Sequence, residues 1–273
     1  MNLNLSTKPL SYEEQKFYFY LESMGKNSFK VSEINDKKLG LSKDYLYVII
    51  NRLEKKGWIT GVGKGVYLRL PANTALEGSA YLEDPFEVGL KMYSGYIAFQ
   101  SALRIHGLSE YEPFTVFVAT KNKSETTPLL EHYEIKAVKI GKRFTGFKEK
   151  GKYNVSTKAK TFFDCFCHPQ YAGGYSEVLK SLHLTEKIDW IEMEKHLDEF
   201  GSSSICQKIG YVISLLHKET EYKLPTDFLE YLKSRIKNKT KLDFALKGGK
   251  YIKKWMVIDN IGERKLLSWW YNG

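Results

Sequence analysis

The sequence predicts a mixed α/β (α+β) fold, with a small helical module at the N-terminus and a larger mixed α/β region after it. Three observations support this prediction. Over the first seventy residues the apolar positions repeat at helical spacing and then change to strand-like alternation. Helix-like and strand-like segments alternate over the rest of the chain. With 273 residues, 42% of them hydrophobic and 27% charged, the chain has a globular composition and room for two domains.

Three helices are predicted before residue 57. The first ends at Gly25, the second covers residues 31–39 with Ser32 as its cap, and the third begins at Ser42 and ends at Gly57. The first and third helices each have an apolar face with i, i+3, i+4, i+7 spacing, formed by Phe17, Tyr20, Leu21 and Met24 and by Leu46, Ile49, Ile50 and Leu53.

A β-hairpin is predicted after the third helix. Residues 58–60 and 66–70 are strand-like, and the glycine-rich segment 61–65 between them contains Lys64. Three helices followed by a hairpin with a short cationic tip is the order of a winged helix-turn-helix domain. We therefore predict such a DNA-binding domain at residues 1–75 and a second domain at residues 76–273. Residues 71–87 are interpreted as the junction between them.

The outward face of the third helix indicates DNA binding, because lysine, asparagine and tyrosine side chains contact phosphates and base edges. In a helix-turn-helix the recognition helix lies in the major groove with its N-terminal residues nearest the bases. The alternative is a helical domain whose surface hairpin serves protein contacts. The residues expected at DNA are Ser42, Lys43, Tyr45, Tyr47, Asn51, Arg52 and Lys55 on the helix and Lys64 at the hairpin tip.

The net charge of +10 is concentrated in this module. Residues 1–70 hold 12 lysines and arginines against 7 acidic residues, so half of the excess charge lies in about a quarter of the chain, as expected of a phosphate-binding module. The longest apolar run has six residues, whereas a membrane span needs about 20, so no membrane partner is expected. The N-terminus has no secretory signal pattern, and three cysteines indicate a reducing cytoplasm.

The region after residue 87 predicts several further elements. Helices are expected at residues 96–105, from 157 to 166, three times between 176 and 217, and at 227–236. Strands are expected at residues 114–119, 135–140 and 251–258, with a polar loop containing Pro128 after the first of them. Residues 233–254 hold nine basic residues against Asp243 alone. That segment is either a solvated basic surface or a second nucleic-acid contact.

The residue patterns of this region disfavour an enzyme or metal site. A nucleotidyltransferase needs an Asp-x-Asp pair to hold its metal ions, and the chain has none. Glu134 and Lys136 supply half of a nuclease motif, but the preceding strand has no acid. Cys165 and Cys167 are two residues apart on a predicted helix and point to different sides, which disfavours a zinc site. We therefore expect no catalytic residue, metal or cofactor, and structural roles for Asp164 and His106.

Several blocks resemble AbiEi-type antitoxins, which are also described as predicted transcriptional regulators of viral defence systems. Residues 95–110 contain Ser101-Ala102-Leu103 and His106-Gly107-Leu108, which resemble the SALxxHGL block of that family. Residues 156–164 and the turn Tyr171-Ala172-Gly173-Gly174 after them resemble two further blocks of the family in order and spacing. Residues 53–59 with 65–68 resemble the wing of the family, and residues 255–260 resemble its C-terminal strand less tightly.

The resemblance implies an antitoxin of a type IV toxin–antitoxin operon in phage defence. Its winged helix would repress its own promoter by binding double-stranded DNA at an inverted repeat. Its C-terminal antitoxin domain, residues 76–273, would oppose a nucleotidyltransferase toxin without a stable complex, and a monomer in solution would pair on the DNA. The alternative is a winged-helix transcriptional regulator without antitoxin activity, controlled by a ligand in the C-terminal domain.

Overall fold

The computed structural model describes residues 9–25, 27–70, 82–110, 114–130 and 132–272. The chain divides into two compact units, one of residues 1–95 with 114–139 and one of residues 96–113 with 140–273. Each unit combines helices with sheet strands, which confirms the predicted mixed α/β class. The predicted boundary after residue 75 lies within residues 71–81, outside the described residues. The unit that contains the N-terminal helices also includes residues 82–95 and 114–139.

The first unit begins with three helices and a three-stranded antiparallel sheet, in which β3 lies between β1 and β2. The sequence prediction of a helix at 31–39 is wrong in extent, because Val31–Glu33 forms a 3-10 turn and Asn35, not Ser32, caps the short α-helix that follows. The elements are α1 (Tyr12–Ser23), β1 (Ser28–Lys30), a 3-10 turn (Val31–Glu33), α2 (Asp36–Leu39), α3 (Lys43–Lys55), β2 (Ile59–Gly63) and β3 (Val66–Arg69).

Predicted apolar faces form the core of these elements. Ser11 and Glu14 form a capping box at the start of α1, which satisfies two backbone N–H groups of its first turn. The four inward residues of α3 are buried and pack with Phe17 and Leu21 of α1 and with Phe29 of β1. Burial of such side chains contributes about 1.5–3 kcal/mol each. These contacts hold α3 in place from one side and leave its other side exposed.

The first unit is completed by α4 (Pro85–Met92), β5 (Thr115–Thr120), β6 (Glu125–Leu129) and β7 (Tyr133–Lys139). The expected junction up to residue 87 is wrong from Pro85 onward, because Asp84 caps a helix that starts with this proline. The expected loop at Pro128 is also wrong. Among the described strands β6 pairs with β7 alone, and an edge strand tolerates the missing N–H of a proline. Strands β5 and β7 confirm the two predicted strands and pair in parallel.

Lys91 of α4 joins this part of the unit to the N-terminal sheet. Its ammonium group donates to the carbonyl of Ser28 at 2.5 Å. It also forms ion pairs with Glu87 at 2.8 Å and with Glu33 at 3.4 Å. The hairpin glycine Gly63 has the methyl group of Met92 beside it. These contacts explain why the compact unit extends past the predicted winged-helix residues.

The second unit contains short strands and a set of helices. Strand β9 (Tyr153–Ser156) pairs in parallel with β4 (Gly95–Ile97) and antiparallel with β8 (Phe147–Lys150). In a second sheet, β12 (Val257–Asp259) lies between β10 (Thr240–Lys241) and β11 (Lys250–Ile252). The elements of the second unit are β4 (Gly95–Ile97, with Gly95 in the first unit), α5 (Phe99–Ile105), β8 (Phe147–Lys150), β9 (Tyr153–Ser156), α6 (Lys158–Cys167), α7 (Tyr175–His183), α8 (Trp190–Phe200), α9 (Ser203–Thr220), α10 (Thr226–Ser234), β10 (Thr240–Lys241), β11 (Lys250–Ile252), β12 (Val257–Asp259), α11 (Glu263–Leu266) and α12 (Ser268–Tyr271).

The helices predicted after residue 156 are confirmed in outline, and two expectations are corrected. The predicted helix at 96–105 starts at Phe99, because Ile97 pairs with Val155 of β9. The predicted strand at 251–258 is two strands, since a turn at residues 253–256 sends β12 back along β11. Among the described residues no helix combines the length and the apolar character needed to cross a membrane.

Candidate nucleic-acid interface

A three-residue turn positions α3 after α2. Gly40 has a φ of +66°, in the left-handed region that favours glycine, and its N–H donates to the carbonyl of Lys37. The hydroxyl of Ser42 accepts a hydrogen bond from the N–H of Tyr45 at 3.3 Å. This bond caps α3 at the residue that the sequence predicted. The predicted helix-turn-helix requires two helices joined by a short turn, and its assignment to DNA stays a prediction.

The structure brings seven of the eight predicted site residues together on α3 and its cap. All seven are exposed, and Tyr47 exposes 50% of its surface. Within the described part of the chain, the side chains of Lys43, Asn51, Arg52 and Lys55 form no hydrogen bond or ion pair. These donors are therefore free to bind a partner outside the molecule.

The face is bounded by a contact between α3 and the hairpin. The carboxylate of Glu54 accepts a hydrogen bond from the N–H of Gly61 at 2.7 Å, which fixes the last turn of α3 to β2. Burial, with the nearby Glu54 and Tyr47, raises the pKa of the Tyr67 hydroxyl. Tyr67 therefore stays neutral at physiological pH and can donate a hydrogen bond beside the exposed face.

The eighth predicted residue, Lys64, is exposed, and its side chain has partners within the first unit. It lies at the hairpin tip with Gly65, and both have positive φ, as a two-residue type I′ turn requires. Its ammonium group is 2.8 Å from Glu125 and 4.8 Å from the centre of the Tyr93 ring. The hydrogen bond to Glu125 raises the pKa of Lys64, and hydrogen bonds from Lys64 and Lys123 lower the pKa of Glu125.

Two exposed lysines next to the predicted site were missed by the sequence analysis. Lys37 and Lys38 form the C-terminal part of α2, directly before the turn that leads into α3. Their side chains are exposed, and the ammonium group of Lys38 lies 5.8 Å from the centre of the Tyr20 ring. The signal in the sequence is a pair of adjacent lysines followed by Leu39 and Gly40, and cations at this point are well placed for phosphate contacts.

Blocks that resemble the antitoxin family meet in the second unit. The ring nitrogen Nε2 of His106, at the end of α5, lies 2.8 Å from the carbonyl of Ser156. Because a carbonyl only accepts, Nε2 carries the proton, and the Lys150 ammonium group donates to Nδ1 at 3.3 Å. Burial, with Lys150 and neighbouring lysines, lowers the pKa of His106 to about 4 despite the Ser156 carbonyl. His106 therefore joins α5 to β9 as a neutral side chain.

Asp164 is the partner of a buried lysine. Both side chains are fully buried, and the Lys160 ammonium group lies 2.5 Å from each carboxylate oxygen of Asp164. One turn earlier, the hydroxyl of Thr161 is 2.6 Å from that of Ser156. The pair of Lys160 and Asp164 joins two successive turns of α6, in agreement with the structural role expected for Asp164. The contact of Thr161 with Ser156 joins α6 to β9.

The alternative chemical sites gain no support from the geometry. Among the described residues no group of three His, Cys, Asp or Glu side chains is arranged to hold a metal ion. Burial raises the pKa of Cys167 to about 12, which disfavours the thiolate that binds metals. Glu134 accepts a hydrogen bond from Thr115 at 2.9 Å, and β5 places no carboxylate beside it.

Comparisons with known proteins give a fold and no family. No family model matches the chain, and no curated protein matches it. Among solved structures it is similar to the crystal structure of the RV2827C protein from Mycobacterium tuberculosis, with a TM-score of 0.68 and 12% sequence identity. The match covers 98% of each chain, and at this identity it shows a shared fold alone.

Proposed function

We propose that this protein is a DNA-binding autorepressor and antitoxin, whose N-terminal elements form a winged helix-turn-helix. In this proposal α3 enters the major groove, Tyr47 and Asn51 contact base edges, and Lys43, Arg52 and Lys55 contact phosphates. Lys37 and Lys38 add phosphate contacts beside the turn. Operator DNA is in the cytoplasm, so the proposal includes a cytoplasmic location.

One observation carries the DNA-binding part of this proposal. Helix α3 packs into the core through four buried apolar residues. Its other side presents exposed lysine, arginine, asparagine and tyrosine side chains. On a surface that serves only to stabilise the fold, charged side chains contribute stability by pairing with opposite charges. Three of the cations on α3 have no such partner among the described residues. Unpaired donors on a rigid helix are what recognition of a polyanion requires.

A footprinting experiment tests this part. Full-length protein is mixed with the DNA upstream of its gene, and protected positions are mapped at increasing protein concentration. We expect two protected half-sites related as an inverted repeat and spaced by whole helical turns of about 34–36 Å. A random fragment of equal length is the control. Equal protection of both fragments, or none, would contradict the proposal.

The antitoxin part rests on the resemblance of four sequence blocks to AbiEi-type antitoxins. It is supported by the direct contacts of two of these blocks, through His106 and Ser156, within one unit. The test places the neighbouring toxin gene under an unrelated promoter, so that repression of the native promoter has no influence. We expect the full-length protein to restore growth. Growth arrest at matched expression would contradict the antitoxin part of the proposal and leave only a DNA-binding regulator.

A further inference from the structure

The C-terminal sheet of the second unit, formed by β10, β11 and β12, carries a dense group of lysines. Residues 239–254 contain six lysines and one acidic residue, Asp243. Five of these lysines are exposed, and the sixth, in β10, is half-buried. Within the described part of the chain none of their ammonium groups forms an ion pair or a hydrogen bond. The six are Lys239, Lys241, Lys247, Lys250, Lys253 and Lys254.

The acidic residue of this segment is engaged inside the loop between β10 and β11. The carboxylate of Asp243 accepts a hydrogen bond from the N–H of Ala245 at 2.8 Å. Asn260, directly after β12, holds the same loop, because its side-chain amide donates to the carbonyls of Asp243 at 2.5 Å and of Leu246 at 2.9 Å. The loop is therefore fixed to the end of the sheet, and its carboxylate forms no ion pair with the lysines among the described residues.

One face of the sheet is buried and the other is open. Thr240 and Val257, which are register partners, are both buried. The next residue of each strand points to the opposite face. Ile258 pairs with Lys241 on one side and with Tyr251 on the other, so these three side chains form a row across the open face. Tyr251 exposes 45% of its surface there.

Two aromatic rings of this region reach solvent, each with a cation beside it. Phe244, in the fixed loop, exposes 70% of its surface, and the ammonium group of Lys208 lies 4.6 Å from the centre of its ring. The ammonium group of Lys239 lies 4.9 Å from the centre of the Tyr251 ring. The Tyr251 hydroxyl has no hydrogen-bond partner among the described residues. The sheet therefore combines exposed rings with unpaired positive charge.

We infer that the C-terminal sheet binds single-stranded nucleic acid, with bases stacked on Tyr251 and Phe244 and phosphates contacted by the lysines around them. Exposed aromatic rings within a positively charged surface are the combination that binds single strands. A duplex offers its phosphates to the lysines, but its bases are already stacked on one another and cannot use the rings. The inference goes beyond the proposed function and does not depend on operator binding by α3.

The test measures binding of full-length protein to labelled oligonucleotides by fluorescence anisotropy. The probes are a uridine RNA and a thymidine DNA of about twelve nucleotides, within the usual range of such sites, and a random duplex of equal length. We expect saturable binding of at least one single strand, and the tighter-bound strand shows which sugar the site prefers. Tyr251→Ala and Phe244→Ala should each weaken this binding about fivefold or more.

Matched variants separate stacking from other effects. Tyr251→Phe keeps the ring and should keep the wild-type affinity, and Phe19→Ala, which removes an exposed ring from α1, should have no effect. Because Phe244 is an exposed loop residue, its substitution keeps the test valid if Tyr251→Ala fails to fold. The Lys43→Ala/Lys55→Ala variant should bind the single strand as tightly as wild type. A failure of operator binding is thus distinguishable from a failure of this inference.

Three results would overturn the inference. The first is the absence of saturable binding to both single strands. The second is an equal loss on the single strand and on the duplex in Tyr251→Ala, which would reduce the sheet to a phosphate contact. The third is binding to phosphatidylserine vesicles, lost in Tyr251→Ala, by a protein that binds neither single strand, since the sheet would then contact an anionic membrane surface.

Discussion

The exposed lysines of α3 and the lysine at the hairpin tip were all predicted to contact DNA, but their situations in the structure differ. Lys43 and Lys55 have no ion pair among the described residues, while Lys64 is bonded to Glu125 and lies against Tyr93. Lys160 of the second unit is the extreme case, since it is fully buried against Asp164. The comparison teaches that a basic residue becomes a candidate for nucleic-acid binding through the absence of an internal partner.

The largest effect is expected where a paired lysine loses its partner. Asp164→Asn leaves the Lys160 charge buried without an anion, and removing one member of a buried pair costs about 3–5 kcal/mol. The free energy of unfolding, measured by urea denaturation, should fall by that amount. The control is Asp198→Asn, which removes a partly exposed partner of Arg235 and should cost about 1 kcal/mol or less. Similar losses for the two variants would contradict the assigned role of the buried pair.

The next effect concerns base contacts on α3. Tyr47→Ala and Asn51→Ala should weaken binding to the operator by about 1–3 kcal/mol, and binding to random DNA much less, because base contacts carry sequence preference. Affinities on both DNAs are measured by fluorescence anisotropy. Tyr12→Ala, which removes an exposed tyrosine from α1, is the matched control and should have no effect. Equal losses on the two DNAs would show that these residues do not contact base edges.

A smaller and less selective effect is expected for the free lysines. Lys43→Ala and Lys55→Ala should each weaken binding by about three- to tenfold at 0.1 M salt, equally for operator and random DNA, since each loses one phosphate contact. Lys195→Ala makes the same charge change at an exposed position of α8 and serves as the control. If the control lost as much affinity as the two variants, overall charge rather than the α3 face would explain binding.

The smallest effect is expected at the hairpin tip. Because Lys64 is already bonded to Glu125, Lys64→Ala should weaken DNA binding less than Lys55→Ala. Glu125→Gln releases the lysine and should strengthen binding, as seen in the same anisotropy titration. Lys123→Ala, which removes the second cation beside Glu125, is the matched control. A loss for Lys64→Ala as large as that for Lys55→Ala would mean that DNA displaces Glu125.

Elements defined by local sequence patterns were predicted correctly, whereas elements defined by contacts between distant residues were not. The α3 helix was predicted closely, because its cap, its apolar spacing and its final glycine all lie within sixteen residues. Strand β1 was missed because it has three residues and is defined by pairing with β3, about forty positions away. Helix α4 was missed because Pro85 was interpreted as a break and not as the first residue of a helix.

The same limit applies to the candidate site. The exposed face of α3 follows from the position of its apolar residues, so its seven predicted residues lie together as expected. The ion pair of Lys64 joins residues 61 positions apart, and nothing near the hairpin in the sequence indicates it.

The salt dependence of operator binding tests the central claim most directly, because it counts phosphate contacts. The binding constant is measured at four salt concentrations for the wild-type protein and for the Lys43→Ala/Lys55→Ala double variant. We expect a steep linear fall of log K with log salt for the wild type, and a slope about 1.8 units shallower for the variant, at about 0.9 units for each lost contact. Identical slopes for the two proteins, or wild-type binding that does not change with salt, would contradict the assignment of α3 to DNA.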